Sequence, residues 1–224
     1  MSTPPYGFES IRDRLTAERL GSFLTACNGD LAQALALYDW NISMAGAIYE
    51  QIGRLEVVFR NALDESLVAL ASARSWTAEW YRQPQLFPGG TGARALADIR
   101  KARDRSMRHA SAEKRGKVIA ELTFGFWRFL CSKHYLTSMW VPALVSAFPR
   151  HPSGPAGDVR SDVEEIMQRV HFLRNRVAHH EPIHHRNLRR DHEDIVRLAS
   201  WIDPDAAAWI EHTSRWTAVL AARP

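Results

Sequence analysis

Apolar residues recur along this chain every three to four positions, the spacing of one buried face of an α-helix, and no stretch alternates as a half-buried strand would. The longest such pattern runs over residues 41–70 and is typical of a helix that organises a bundle. Its apolar positions are Ile42, Ala45, Ile48, Tyr49, Ile52, Leu55, Phe59, Leu63, Leu67 and Leu70. The pattern predicts an all-α bundle.

Capping and helix-breaking residues divide the rest of the chain. We expect a tail over residues 1–15, a first helix after Thr16 and a second one capped by Asp30. Proline and glycine predict loops over 83–92 and 149–157. The remaining helices are predicted over roughly 94–117 (as one or two), 118–133, 136–147, 158–181, 184–200 and 204–221. Residues 16–224 are therefore treated as a single domain.

Composition narrows the class of protein. The chain has 224 residues, of which 46% are hydrophobic and 24% charged, as in an ordinary globular domain. No apolar run approaches the length that crosses a bilayer, and the N-terminus lacks a basic start followed by a hydrophobic core. Cys27 and Cys131, far apart in the chain, are expected to be buried thiols in a reducing compartment. We therefore expect a cytoplasmic protein that does not enter a membrane.

Charge is unevenly distributed. Between Arg94 and Lys117 nine basic residues stand against three acidic ones, so this segment is +6 while the whole chain is +4. Such an excess is typical of a surface that binds a phosphate backbone, although a solvated helix face gives the same pattern. The candidate RNA contacts here are Arg100, Lys101, Arg103, Arg105 and Arg108, and a second basic group follows at Arg186, Arg189 and Arg190.

The helix predicted before Pro182 carries groups suited to RNA cleavage. Its core face is expected to comprise Val163, Ile166, Val170, Leu173 and Val177. Arg174 lies at the edge of that face, while Asn175 and His179 share an outer face with Phe172. An Arg can hold a phosphate, a His can move a proton and an amide can orient either group. The structural alternative is that Arg174 forms an ion pair and His179 only caps the helix end.

Three ordered blocks resemble the abortive-infection (Abi-like) proteins of the HEPN superfamily of helical ribonucleases. The C-terminal block is Leu173-Arg174-Asn175-x-x-Ala178-His179-His180, and the earlier blocks are Leu55-Glu56-Val57-Val58-Phe59-Arg60-Asn61 and Glu121-Leu122-Thr123-Phe124-Gly125-Phe126. The resemblance covers about residues 30–200. It implies an HEPN-like helical bundle with additional helices.

The resemblance also implies a function. It implies a metal-independent endoribonuclease that acts as a dimer, with two Arg-x4-His motifs facing each other across a cleft. His179 would transfer the proton, Arg174 would hold the phosphate and Asn175 would orient one of them. The chain would be a homodimeric antiphage effector or toxin that needs no cofactor, and an antitoxin protein or a structured small RNA would hold it in check. The alternative is a non-catalytic, RNA-binding or regulatory HEPN protein that uses the same basic cleft.

Several accessory residues have two interpretations. His180 fits the motif spacing as well as His179 does, although it points to another side of the helix. Glu56 and Arg60 either form an internal ion pair or serve the phosphate site, with Asn61 as an accessory polar group. The aromatic run 124–129 is expected to pack in the core rather than to stack on bases.

The histidines on both sides of Pro182 suggest a zinc site as a hypothesis. The histidines concerned are His179, His180, His184 and His185. Pro182 separates the two pairs, no cysteine accompanies them, and their spacing matches no established ligand pattern. No metal site is therefore predicted.

Overall fold

A computed structural model describes residues 5–108, 110–152 and 154–224, and within these ranges the chain is helical with no strand. The all-α prediction is confirmed. The α-helices are α1 (Phe8–Leu15), α2 (Ala17–Ala26), α3 (Leu31–Ala73), α4 (Gly89–Met107), α5 (Arg115–Glu121), α6 (Phe124–Leu130), α7 (Ala156–Ala178), α8 (Leu188–Ile202), α9 (Pro204–His212) and α10 (Trp216–Ala221). Short 3₁₀ turns cover Trp80–Arg82, Pro84–Leu86, Lys133–Tyr135 and Leu144–Ala147, and one π turn covers Leu136–Trp140.

Helix α3 is the centre of the bundle. Its 43 residues extend for about 65 Å at 1.5 Å per residue. The Asp30 carboxylate caps its first turn by accepting from the Gln33 backbone N–H at 3.0 Å, as predicted. Helices α2, α7, α8, α9 and α10 all pack against it. Two of its predicted core positions face outward instead, because Ile42 and Tyr49 remain 42% and 49% exposed.

Helix α7 is the second long element and has the predicted core face. Val163, Ile166, Val170, Leu173 and Val177 are all buried. The helix ends at Ala178, before Pro182 can terminate it. His180 takes a left-handed conformation with φ of 56°, and the backbone N–H groups of His180 and Glu181 donate back to Val177 and Arg176. These bonds close the helix end in the manner of a Schellman motif.

Several boundaries differ from the sequence prediction. Part of the predicted tail over 1–15 is helix α1, whose apolar side packs on the core, while residues 1–4 lie outside the described residues. The predicted loop over 83–92 overlaps the start of α4, where Gly92 packs so closely on the Phe87 backbone that a Cβ would clash. The helix predicted over 118–133 breaks, because Thr123 caps a new helix by accepting from the Phe126 N–H at 3.2 Å.

The aromatic segment lies in the core, as predicted. Phe124, Phe126 and Trp127 are buried. Cys131 is also fully buried, whereas Cys27 is only half-buried, so the expectation of two buried thiols holds for one of them. In the described part of the chain, no helix combines the length and apolar character that a bilayer crossing requires.

Candidate functional site

Arg174 is half-buried on α7 and acts electrostatically on Glu56 of α3. Burial raises the pKa of the Glu56 carboxyl, and the nearby guanidinium groups of Arg174 and Arg60 act in the opposite direction. Glu56 and Arg60 do not form the internal ion pair that was one interpretation of their spacing. Glu56 is therefore a partly buried carboxyl on which two cations act, and its service to a phosphate site stays a prediction. Asn61 is exposed on the same helix.

Asn175 lies one helical turn from His171, a histidine outside the Arg-x4-His motif. The Asn175 Nδ2 atom is 3.2 Å from Nε2 of His171. The His171 ring stacks on Phe124 of α6, with ring centroids 5.8 Å apart and an interplanar angle of 21°. Burial lowers the pKa of His171, and Arg128 and Arg174 lower it further. Asn175 thus orients an imidazole near the core of the site.

Three guanidinium groups act electrostatically on this imidazole or on Glu56: Arg174 on both, Arg60 on Glu56 and Arg128 on His171. We call Arg60, Arg128 and Arg174 the arginine cluster. None of the three makes a side-chain hydrogen bond or an ion pair within 4 Å to any residue that the structure describes. Partly buried arginines normally have a partner, because removing a charge from water is costly. The cluster is therefore suited to an anionic ligand.

His179 stands at the end of α7, beyond this cluster. Its side chain is exposed, and its backbone N–H donates to the Asn175 carbonyl at 3.0 Å. His171, Asn175 and His179 are spaced four residues apart, so they form one gently rotating row about 12 Å long. His180 is directed elsewhere by its left-handed backbone, and Arg19 donates to its carbonyl oxygen. The structure thus gives His179 the solvent access that a proton-transfer group needs.

The basic segment is partly neutralised. Arg103 is paired with Glu113 at 2.7 Å, and Arg105 is paired with Glu121 at 2.8 Å. Arg100, Lys101 and Arg108 are exposed, with Lys101 only loosely paired to an acidic neighbour at 3.6 Å. The predicted RNA-contact set on α4 therefore divides into three cations that face solvent and two that fix the fold.

The second basic group lies beside the exposed Phe172. Arg186 makes two bonds to Asp191, at 2.7 and 3.0 Å, and its guanidinium lies 5.6 Å from the Phe172 ring. Arg189 lies over the Trp216 ring at 6.0 Å. Arg190 is exposed. Arg186 is thus held in place, while the other two cations are open to a ligand.

The imidazoles after α7 do not converge. His184 is buried, contacts the Phe23 ring at a tilt of 37° and lies 3.3 Å from the Ser22 hydroxyl. His185 meets His184 edge to face with ring centroids 5.2 Å apart. Among the described residues, no group of three or more His, Cys, Asp or Glu side chains could hold a metal ion.

A buried asparagine fastens the segment that follows α7. The Asn41 Oδ1 atom accepts from the backbone N–H groups of Ile183 at 2.8 Å and His184 at 3.1 Å. Arg176 donates to the Pro182 carbonyl at 2.7 Å and pairs with Glu181. These contacts fix the chain beside His179. Nothing in the sequence pattern singled out Asn41, which occupies an apolar stretch of α3.

Comparison with known proteins gives no relative: the chain matches no protein-family model, no curated protein and no solved structure.

Proposed function

We propose that this chain is a metal-independent endoribonuclease with an HEPN-like bundle, whose site lies along α6, the C-terminal half of α7 and the facing part of α3. The observation that carries the proposal is the arginine cluster beside the row of His171, Asn175 and His179. Unpaired guanidinium groups favour a polyanion, and the exposed imidazole of His179 can accept or donate a proton.

The chemistry assigns one role to each motif residue. A base takes the proton of the ribose 2′-OH, whose oxygen attacks the adjacent phosphorus, and the bond from phosphorus to the 5′-oxygen breaks. An acid then donates a proton to that leaving oxygen. His179 serves the proton transfers, Arg174 stabilises the added negative charge, and Asn175 acts as the orienting group. The products are a 2′,3′-cyclic phosphate and a 5′-hydroxyl, and DNA is not cut because it lacks the nucleophile.

A single His179 cannot be base and acid at the same moment. A homodimer that brings two copies of the α7 end together would supply one imidazole for each task. The exposed Phe172, which lies next to two guanidinium groups, stands on the same outer side of α7 and is available to such an interface or to RNA. The role as an abortive-infection effector or toxin, restrained by an antitoxin protein or a structured RNA, rests on the family resemblance alone.

The second candidate function is RNA binding without cleavage. The exposed cations Arg100, Lys101 and Arg108 favour it, because they would contact a phosphate backbone whether or not the bond is cut. Salt-dependent RNA binding is expected under both proposals, so only turnover separates them.

Two substitutions test the nuclease proposal. His179→Ala and Arg174→Ala should abolish RNA cleavage and relieve any growth arrest caused by expression, while both variants fold and the first still binds RNA. His212→Ala, which removes another exposed histidine at the end of a helix, is the matched control and should retain full activity. Wild-type protein that leaves RNA intact, or a His179→Ala variant that cuts as well as wild type, would refute the proposal.

A further inference from the structure

The contact between α6 and α7 brings together a polar cluster, comprising Arg128, His171 and Asn175, that the motif residues alone do not explain. Phe124 stacks on the His171 ring, and the Cβ-less Gly125 lies next to it, where an added Cβ would come within 3.5 Å of the ring Cε1 atom. Arg128 follows Phe124 by four residues and therefore projects from the same side of α6. The face of α6 that packs on His171 thus also carries a guanidinium.

The hydrogen bond to Asn175 fixes which ring nitrogen of His171 carries the proton. Nδ2 of Asn175 can only donate, so Nε2 of His171 accepts, and a neutral ring then holds its proton on Nδ1. That Nδ1 atom is enclosed and has no hydrogen-bond partner among the residues the structure describes. The same holds for Nε of Arg128. Two enclosed donors thus lack an acceptor.

The charges around this polar cluster favour an anionic acceptor. Arg128 on α6 and Arg174 on α7 both lie close enough to His171 to lower its pKa, in addition to the effect of burial. Glu56 on α3 is an opposing charge that interacts electrostatically with Arg174. Two guanidinium groups and a ring N–H form a donor set suited to the oxygens of a phosphate.

We propose that Arg128, His171 and Arg174 form a subsite that binds a phosphate group of the RNA, with Asn175 and Phe124 as positioning residues that hold the His171 ring. As an RNA subsite it rests on the proposed function, whereas its affinity for a phosphate group does not. Arg128 and His171 lie outside the Arg-x4-His motif. The ligand class is a phosphodiester, or an inorganic phosphate that mimics it.

Inorganic phosphate is the direct probe. In NMR spectra of the whole chain, the His171 ring resonances should shift saturably with phosphate but not with chloride at equal ionic strength. Arg128→Gln should weaken this binding by about tenfold or more, and Arg128→Lys, which keeps the charge, should weaken it less. Arg150→Gln, which neutralises an exposed arginine outside this polar cluster, is the control and should leave the affinity unchanged. Circular dichroism identifies any variant that fails to fold.

A short 2′-O-methyl RNA, which cannot be cleaved through its 2′-oxygen, extends the test to the polymer. Arg128→Gln should lower its affinity and reduce the slope of log K against log salt by about one unit. The proposed subsite would be refuted if the His171 resonances do not shift with phosphate, or if wild type and Arg128→Gln bind phosphate equally well. Either result would refute it even if the chain cuts RNA. A saturable His171 response in a protein that cuts no RNA would support the subsite and refute the nuclease proposal.

Discussion

Replacing Asn41 tests how the end of α7 is held in place. Its side chain is 2% exposed and its Oδ1 atom accepts two backbone N–H groups, those of Ile183 and His184, which are themselves buried. Asn41→Ala removes the acceptor for both donors at once. No other hydrogen bond of these two N–H groups compensates, so they either remain unpaired or pull the segment outward to water.

The magnitude follows from the number of donors affected. A buried N–H without a partner costs about 1–3 kcal/mol, so two of them cost about 2–4 kcal/mol if the segment relaxes partly toward solvent. For a domain of this size each kcal/mol shifts the Tm by about 2–4 °C. Asn41→Ala should therefore lower the Tm by roughly 4–16 °C.

Urea unfolding and amide hydrogen exchange measure the two parts of this effect. The urea concentration at which half of the Asn41→Ala protein is unfolded should fall, with an unchanged slope m. The amides of Ile183 and His184 in this variant should exchange faster than those in the middle of α3. Ser43→Ala, an exposed position two residues further along the same helix, is the control and should stay within about 0.5 kcal/mol of wild type. A loss below about 0.5 kcal/mol in Asn41→Ala, with both amides still protected, would refute the reasoning.

Two further predictions concern pH and thiol chemistry. Burial lowers the pKa of His184 and of His192 from 6.5, so the unfolded chain binds their protons more tightly, and stability should fall as the pH drops below that value. Differential scanning fluorimetry should give a lower Tm at about pH 5.5 than at about pH 7.5, and an equal or higher Tm would contradict this. Burial also raises the pKa of the Cys131 thiol, so iodoacetamide should label Cys27 first in the folded chain, and equal labelling rates by mass spectrometry would be inconsistent with the fold.

The periodic signal in the sequence predicts the fold well where one face of a helix is buried. Val170 and Leu173 lie in the core of α7 as their spacing requires, because a 3.6-residue period leaves few alternatives once a helix has one apolar side. The apolar pattern over 118–133 predicts one helix and does not show the break before α6, because Thr123 is a single capping residue within continuous apolar spacing. The apolar spacing predicts Tyr49 in the core, but its side chain faces outward. The spacing of a residue along a helix does not show whether another element covers its side chain.

The candidate site was only partly predictable for a related reason. Arg174 and Asn175 belong to a short motif, so local spacing found them. His171 and Arg128 meet only because α6 packs across α7, and that contact is not encoded in local spacing. One signal was available: His171, Asn175 and His179 recur at four-residue intervals and so form a polar row on a single helix.

The chemistry of RNA ends tests the central claim most directly. Purified wild-type protein should convert an all-ribose oligonucleotide into fragments with 2′,3′-cyclic phosphate and 5′-hydroxyl ends, and the same oligonucleotide with a 2′-deoxy sugar at the cut position should stay intact there. The His179→Ala variant should give no such ends. Intact RNA with the wild-type protein, or the same cyclic-phosphate ends from His179→Ala, would contradict the account.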